Sequence, residues 1–155
     1  MKSGRSAFTL IEVLIVVVIL GILAAVAVPR FAGASDDART SAVQSTVAGV
    51  RSAIATYRTS AVIQGNDPYP TLEELSDGSV IRFEIPPNPF SDVAGVQSVS
   101  QAQAEARGVS NEASAGWNYY VDNNSNPPVA IFYANSGEAT NASDGEGGNY
   151  TANEL

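Results

Sequence analysis

The sequence predicts an α+β protein in which a helical N-terminal part, transmembrane in its first half and amphipathic in its second, packs on a small antiparallel β-sheet. Three observations lead there. Phe8 to Pro29 is apolar almost throughout, and Glu12 is its one formal charge. Val43, Val47, Val50, Ile54, Tyr57 and Ala61 then follow at steps of 4, 3, 4, 3 and 4, a single apolar stripe at the period of an α-helix. Further on, Gly116–Val121 and Ala130–Ala134 read as strands joined by the turn-rich Asp122–Pro128, which is the pattern of a β-hairpin.

Composition removes several function classes. With no His and no Cys, imidazole and thiolate metal sites are excluded, as are Ser-His and Cys-His catalytic pairs. Only oxygen-liganded ions such as calcium remain, and no disulfide supports the fold. The net charge of −8 is unevenly spread, since Ala61–Leu155 holds 13 acids against Arg82 and Arg107 alone. That half repels phosphate backbones and anionic head groups, so no nucleic acid is expected as a partner.

Met1–Ala7 is a short polar lead carrying Lys2 and Arg5. Cations before an apolar segment keep that end cytoplasmic and send the following domain outwards. The apolar run itself has three readings. It is long enough to cross a hydrocarbon core as a helix. It could be a secretory signal, with small-residue triplets at Ala25-Val26-Ala27 and Ala32-Gly33-Ala34. A buried helix of a soluble protein is the third. Glu12 bears on the choice, because a carboxylate in an apolar core costs about 2–3 kcal/mol to insert. A disposable signal has no use for it, whereas a segment that later meets a cation does. The plainer account is that Glu12 sits at head-group depth and favours the helix N-terminus through its dipole.

Phe8-Thr9-Leu10-Ile11-Glu12-Val13-Leu14, behind a short basic leader and ahead of an apolar run to Pro29, resembles the class III signal of type IV pilins and type II secretion pseudopilins. The resemblance implies cleavage between Ala7 and Phe8 by a prepilin peptidase, with N-methylation of Phe8. The family usually has Gly before the cut, where this chain has Ala7. It also implies a prepilin leader at 1–7, a transmembrane and assembly helix over 8–31, and an amphipathic continuation over 32–64. Glu12 would then pair with the Phe8 ammonium of a neighbouring subunit and set the filament register. Such a pair in low dielectric is far better than two separate buried charges.

Gly21 and Pro29 interrupt the first helix. Proline lacks a backbone donor and clashes one turn back, so Pro29 either ends the helix or kinks it. The resemblance favours a long helix that continues past it. Ser35 can cap a second stretch, with Asp36 and Asp37 in its first turn. Opposite the apolar stripe lie Arg39, Gln44, Ser45 and Arg51. Helix ends near Gly65-Asn-Asp-Pro68. The region 65–136 reads as a globular domain with a loop and the hairpin. Within it, Thr71 caps a short helix with Glu74 at the capping-box position. Ile85-Pro-Pro-Asn-Pro-Phe90 is an irregular connector, and 91–115 is a long loop with a short helix at Gln101–Arg107. Trp117, Tyr119, Phe132 and Tyr133 form an aromatic cluster that packs on the Val43–Tyr57 stripe. Residues 137–155 form an acidic loop or tail in which Asp144 and Glu146 could hold calcium, as pseudopilins often do in this place, though no EF-hand spacing is present. The Asn-x-Ser/Thr triplets at Asn123, Asn141 and Asn149 are expected by chance in so Asn-rich a chain.

The expected function is structural rather than enzymatic: a subunit of a pseudopilus that assembles as a homo-oligomeric filament in a type II secretion-like system. The resemblance places it in the bacterial inner membrane as a single-pass protein, surrounded by lipid before assembly, and in a periplasmic filament afterwards. Prepilin peptidase and inner-membrane secretion components are the implied partners. A type IV pilin for adhesion, motility or DNA uptake is the alternative, and the absence of Cys tilts away from it. A secreted binding domain released after Ala27 or Ala34 is the alternative from another class.

Overall fold

The computed structural model describes residues 8–155, so Ala7 and the rest of the leader lie outside it. In order, the elements are α1 (Leu10–Gln64), α2 (Leu72–Ser76), β1 (Val96–Ser98), α3 (Gln101–Glu105), β2 (Trp117–Asp122), β3 (Val129–Ala134), β4 (Ala139–Ser143), β5 (Asn149–Thr151) and a 3-10 turn at Ala152–Glu154. The chain divides into two units, one ending at Asp36 and one spanning Asp37–Leu155.

In the first unit the helix is unbroken through Gly21 and Pro29. Ser35 therefore caps nothing, because the backbone before it is already helical. Among the described residues this is the one helix long and apolar enough to cross a membrane. Its large apolar side chains, from Phe8 to Phe31, are all more than half exposed.

In the second unit the predicted stripe is the core face of α1. Val43, Val47, Val50, Ile54 and Ala61 are buried there with Thr40 and Thr46, and Tyr57 is half-buried. The helix stops at Gly65, whose φ of 75° admits the left-handed conformation that ends a helix. Gly65 N–H donates to Val62 O (3.3 Å) and Asn66 N–H to Ala61 O (2.9 Å), which together make a Schellman cap. The capping box at Thr71 is present as expected. Thr71 Oγ1 accepts from Glu74 N (3.3 Å), and Thr71 N donates to Glu74 Oε2 (2.8 Å).

The main sheet departs from the sequence expectation. Its order is β1-β2-β3, with β2 and β3 antiparallel as read, but β1 runs parallel to β2. The sheet is therefore mixed rather than antiparallel, and residues 91–115 are a strand-helix crossover rather than a long loop. The aromatic cluster is also split by the period-2 alternation of the strands. Trp117, Tyr119 and Phe132 face α1, with Trp117 stacked on Phe132 at 5.7 Å and 17°. Tyr133 packs on the other face with Val99 and Ala104 of the crossover. Its hydroxyl donates to Gly108 O (2.9 Å), with Gln103 O also within reach of the same proton at 3.2 Å. Arg51, placed opposite the stripe by periodicity, instead reaches the sheet edge. Its guanidinium donates to Phe132 O (3.1 Å) and Leu155 O (3.1 Å).

Residues 137–155 are not a loose tail. The strands β4 and β5 pair antiparallel, Ala152 is buried, and Asn141 ties β4 to α1 through Thr40 Oγ1 (3.2 Å) and Asp37 Oδ1 (2.8 Å). Three buried asparagines hold the irregular segments. Asn135 spends all four side-chain hydrogen-bonding positions, accepting from Ser110 N and Asn118 Nδ2 and donating to Ser110 O and Ala115 O. Asn118 also donates to Gly108 O, and Asn88 donates to Gly116 O. Asn123 grips Tyr69 with both ends of its amide, accepting from Tyr69 N (3.0 Å) and donating to Tyr69 O (2.8 Å).

Tyr119 is buried with its hydroxyl donating to Pro70 O (2.8 Å), and burial pushes its ionisation well above the ordinary phenol range. The folded pKa is raised, so its contribution is complete below the unfolded value near 10 and is lost as pH climbs above it. Alkaline melts of the full chain, followed by Trp117 fluorescence, are expected to show stability flat from pH 8 to about 9.5. Above pH 10 it should fall by about 1.4 kcal/mol per pH unit for this tyrosine. A stability flat to pH 11.5 would contradict that burial.

Candidate functional site

The described residues contain no group of three or more acidic, His or Cys side chains placed to share a metal. The chemistry is concentrated at the start of α1. Thr9 Oγ1 accepts from Glu12 N (3.3 Å), while Glu12 Oε2 accepts from Thr9 N (2.8 Å) and Thr9 Oγ1 (2.7 Å). This is a capping box, Thr-x-x-Glu, in which two orphan donors of the first turn are satisfied reciprocally. The same reciprocal pattern recurs at Thr71-x-x-Glu74 and Ser100-x-x-Gln103, and at Thr151-x-x-Glu154 the Glu154 carboxylate accepts from Thr151 N and Oγ1. Thr9 is a capping residue without a place in the sequence reading, although its signal is the one read at Thr71.

The cap gives Glu12 an occupation in the isolated chain. One carboxylate oxygen, Oε2, takes both bonds from Thr9, and Oε1 takes none from it at this exposed helix start. Phe8, immediately before the cap, is 86 % exposed, the most among the described large apolar residues of the unit. Phe8, Thr9 and Glu12 thus lie together at the head of α1, with Phe8 and Thr9 before its first residue Leu10, whereas Gly21 and Pro29 lie further along the helix. A Cβ added at Gly21 would meet nothing within 4 Å. Pro29 has no N–H to give the carbonyl of Ala25, so that turn lacks one bond of the ladder.

Asp144 and Glu146 belong to the other unit, in the turn between β4 and β5. Asp144 Oδ1 accepts from Glu146 N (2.8 Å) and Gly148 N (3.0 Å), so the carboxylate closes its own turn. Gly145 and Gly147 take φ of 81° and 97°. Calcium requires six to eight oxygens. Two carboxylates, one of them already engaged by two amides, do not form such a set as they stand.

Residues 2–28 match the family model for the prokaryotic N-terminal methylation motif. The chain is 36% identical over 90 residues to the type II secretion system core protein G of Aeromonas hydrophila, covering 58% of this chain and 59% of that one. With the core protein G of Klebsiella michiganensis it shares 33% over 86 residues, covering 56% and 57%. Over 48 residues it is 58% identical to the type IV narrow pilus major component of Thermus thermophilus, covering 31% and 41%. The chain thus spans less than two thirds of the length of each of these relatives. No solved structure matches it.

Proposed function

We propose that this chain is a structural subunit of a pseudopilus in a type II secretion-like system, and that its assembly through α1 drives protein export. The observation that carries the reading is the Phe8-Thr9-Leu10-Ile11-Glu12 head on an apolar helix whose large side chains, from Phe8 to Phe31, are more than half exposed. A helix so exposed cannot remain in water. Lipid can cover it first and a bundle of identical helices afterwards, and the second environment gives Glu12 its cation. Gly21 and Pro29 supply points where the helix can bend or open during that transfer. Cleavage between Ala7 and Phe8 by a prepilin peptidase, an inner-membrane start with the folded unit outside, and docking on inner-membrane secretion components complete the reading.

The type IV pilin alternative draws support from the Thermus thermophilus relative, at higher identity over a shorter stretch. The secretion branch is favoured because its matched stretches of 86 and 90 residues are too long to end with the helix at Gln64 and so reach the segment after it, whereas a stretch of 48 residues is shorter than the helix. Mass spectrometry of the mature N-terminus tests the common part of both. An N-methylated Phe8 is expected; a start at Val28 or Ser35 would replace the filament by a secreted domain. Secretion that persists after deletion of the chain, in a strain whose surface pili vanish, would move the assignment to the pilin branch.

A further inference from the structure

Asp37–Leu155 contains five arginines and no lysine, and three of the five converge on one open groove. Arg51, Arg58 and Arg107 surround a floor of Ile54, Ala130 and Phe132 beside β3, one of the two edge strands of the main sheet. Arg58 and Arg107 lie against aromatic rings rather than carboxylates. Arg51 donates to the main-chain oxygen of Phe132 and to an oxygen of Leu155, the last residue of the sequence. Arg58 lies over the Tyr69 ring at 5.0 Å and Arg107 over the Tyr133 ring at 5.4 Å. Arg107 Nη1 is buried without a hydrogen-bond partner. Burial and the nearby Arg107 charge both lower the pKa of Arg51, as expected for crowded cations.

Arg107 is also held where its backbone would prefer glycine. It follows α3 with φ 52°. Arg107 N–H donates to Ala104 O (3.2 Å) and Gly108 N–H to Gln103 O (2.7 Å), which makes Arg107 the left-handed residue of a Schellman cap. Glycine is the usual occupant, and a long side chain there costs stability. Departures from a local rule of this kind concentrate where the side chain has other work.

We infer that the Arg51–Arg58–Arg107 groove is a carboxylate-binding contact that receives an acidic segment of a second copy of this chain. Charge complementarity selects that occupant, since the half from Ala61 to Leu155 carries 13 acids and two bases. A volume of about 240 Å³ suits one or two side chains rather than a drug-sized ligand. Arginine forks matched to carboxylates would give the contact geometric specificity as well as attraction.

The inference rests on the filament reading, and its test separates the two. The full chain carries Ala55→p-benzoylphenylalanine at the groove wall and is irradiated in its native membranes, with filaments scored independently by electron microscopy. A self-crosslink is expected, mapping to an Asp- or Glu-bearing peptide between Ala61 and Leu155 of the second copy. Arg58→Gln should cut its yield about five-fold, the scale of one partly desolvated charge pair, and Arg58→Lys should restore part of it. Arg107→Gly should cut the yield similarly while the melting temperature holds or rises, because glycine suits the backbone; a purely structural arginine would lose melting temperature instead. Filaments without a self-crosslink, a crosslink only to other proteins, or yields untouched in both arginine variants would overturn the groove contact and leave the filament reading standing. Absence of filaments together with absence of the crosslink would overturn both.

Discussion

Replacing Gly116 with alanine is expected to destabilise the folded unit by about 3 kcal/mol, the upper range for overpacking a fixed site. The residue sits where the Pro-rich connector crosses the start of β2. A Cβ at this position would lie inside the van der Waals radius of Val93 O and 2.8 Å from Asn88 Cβ. The obstructing groups cannot retreat cheaply. Asn88 is fully buried, its N–H donates to Val93 O (2.9 Å), and its side-chain amide donates to Gly116 O (2.9 Å). Moving either atom breaks the bonds that fix the other, and Asn135 N–H also donates to Gly116 O (2.9 Å). Trp117, the sole tryptophan, is adjacent and buried, with its indole donating to Pro86 O (2.8 Å). Its fluorescence therefore reads the damage directly in the full chain. A fall in melting temperature of about 10 °C is expected from the usual conversion for a domain of this size. A loss under 2 °C would mean that the connector does not pack against β2 as described.

What the sequence disclosed follows from how each residue earns its place. The stripe from Val43 to Ala61 was legible because one helix face buries large apolar side chains at a fixed period, and Trp117–Val121 with Ala130–Ala134 because β-branched and aromatic residues mark half-buried strands. The strand β1 was missed because Val96-Gln97-Ser98 is short and half polar, and its pairing with β2 depends on a crossover 18 residues long. The final hairpin was missed for a related reason. Ala139–Ser143 and Asn149–Thr151 contribute small and polar side chains, and they are held through Thr40, Asp37 and the buried Ala152 rather than by an apolar pattern. Arg51 misled because periodicity assigns a face by Cα position, whereas a long side chain can reach around it. At the head of α1 the reverse occurred. The charge of Glu12 stands out by its cost in lipid, while the hydroxyl of Thr9, which gives that carboxylate a local partner, carries no hydropathy signal at all.

That local partner makes Glu12 the place where two roles can be separated by one substitution. In the monomer its carboxylate caps the helix by accepting from Thr9 N and Oγ1. In the proposed filament it would also face the Phe8 ammonium of a neighbour. Glutamine at the same position keeps an acceptor oxygen for the capping box but loses the charge, whereas alanine loses both. Glu12→Gln and Glu12→Ala are both expected to insert in the membrane, since each removes a charge from an apolar helix. If pairing is the dominant role, both should abolish assembly alike. Removing one partner of a buried pair costs about 3–5 kcal/mol, which is at least a hundredfold in each subunit contact. Sheared filaments quantified by immunoblot, against equal membrane-bound monomer, give the measurement. Glu12→Gln filaments at wild-type yield, beside a failing Glu12→Ala, would reduce the residue to a helix cap. Wild-type yield in both variants would remove Glu12 from assembly altogether. The capping geometry favours neither outcome by itself, because Oε1 is left without a bond to Thr9 and a cation can approach it without dismantling the cap. The carboxylate can therefore serve its own helix in lipid and a neighbour in the bundle without a change of rotamer. A glutamine holding its single oxygen toward Thr9 would present its amide nitrogen, a donor, to an incoming ammonium, and the contact would turn from attraction to repulsion.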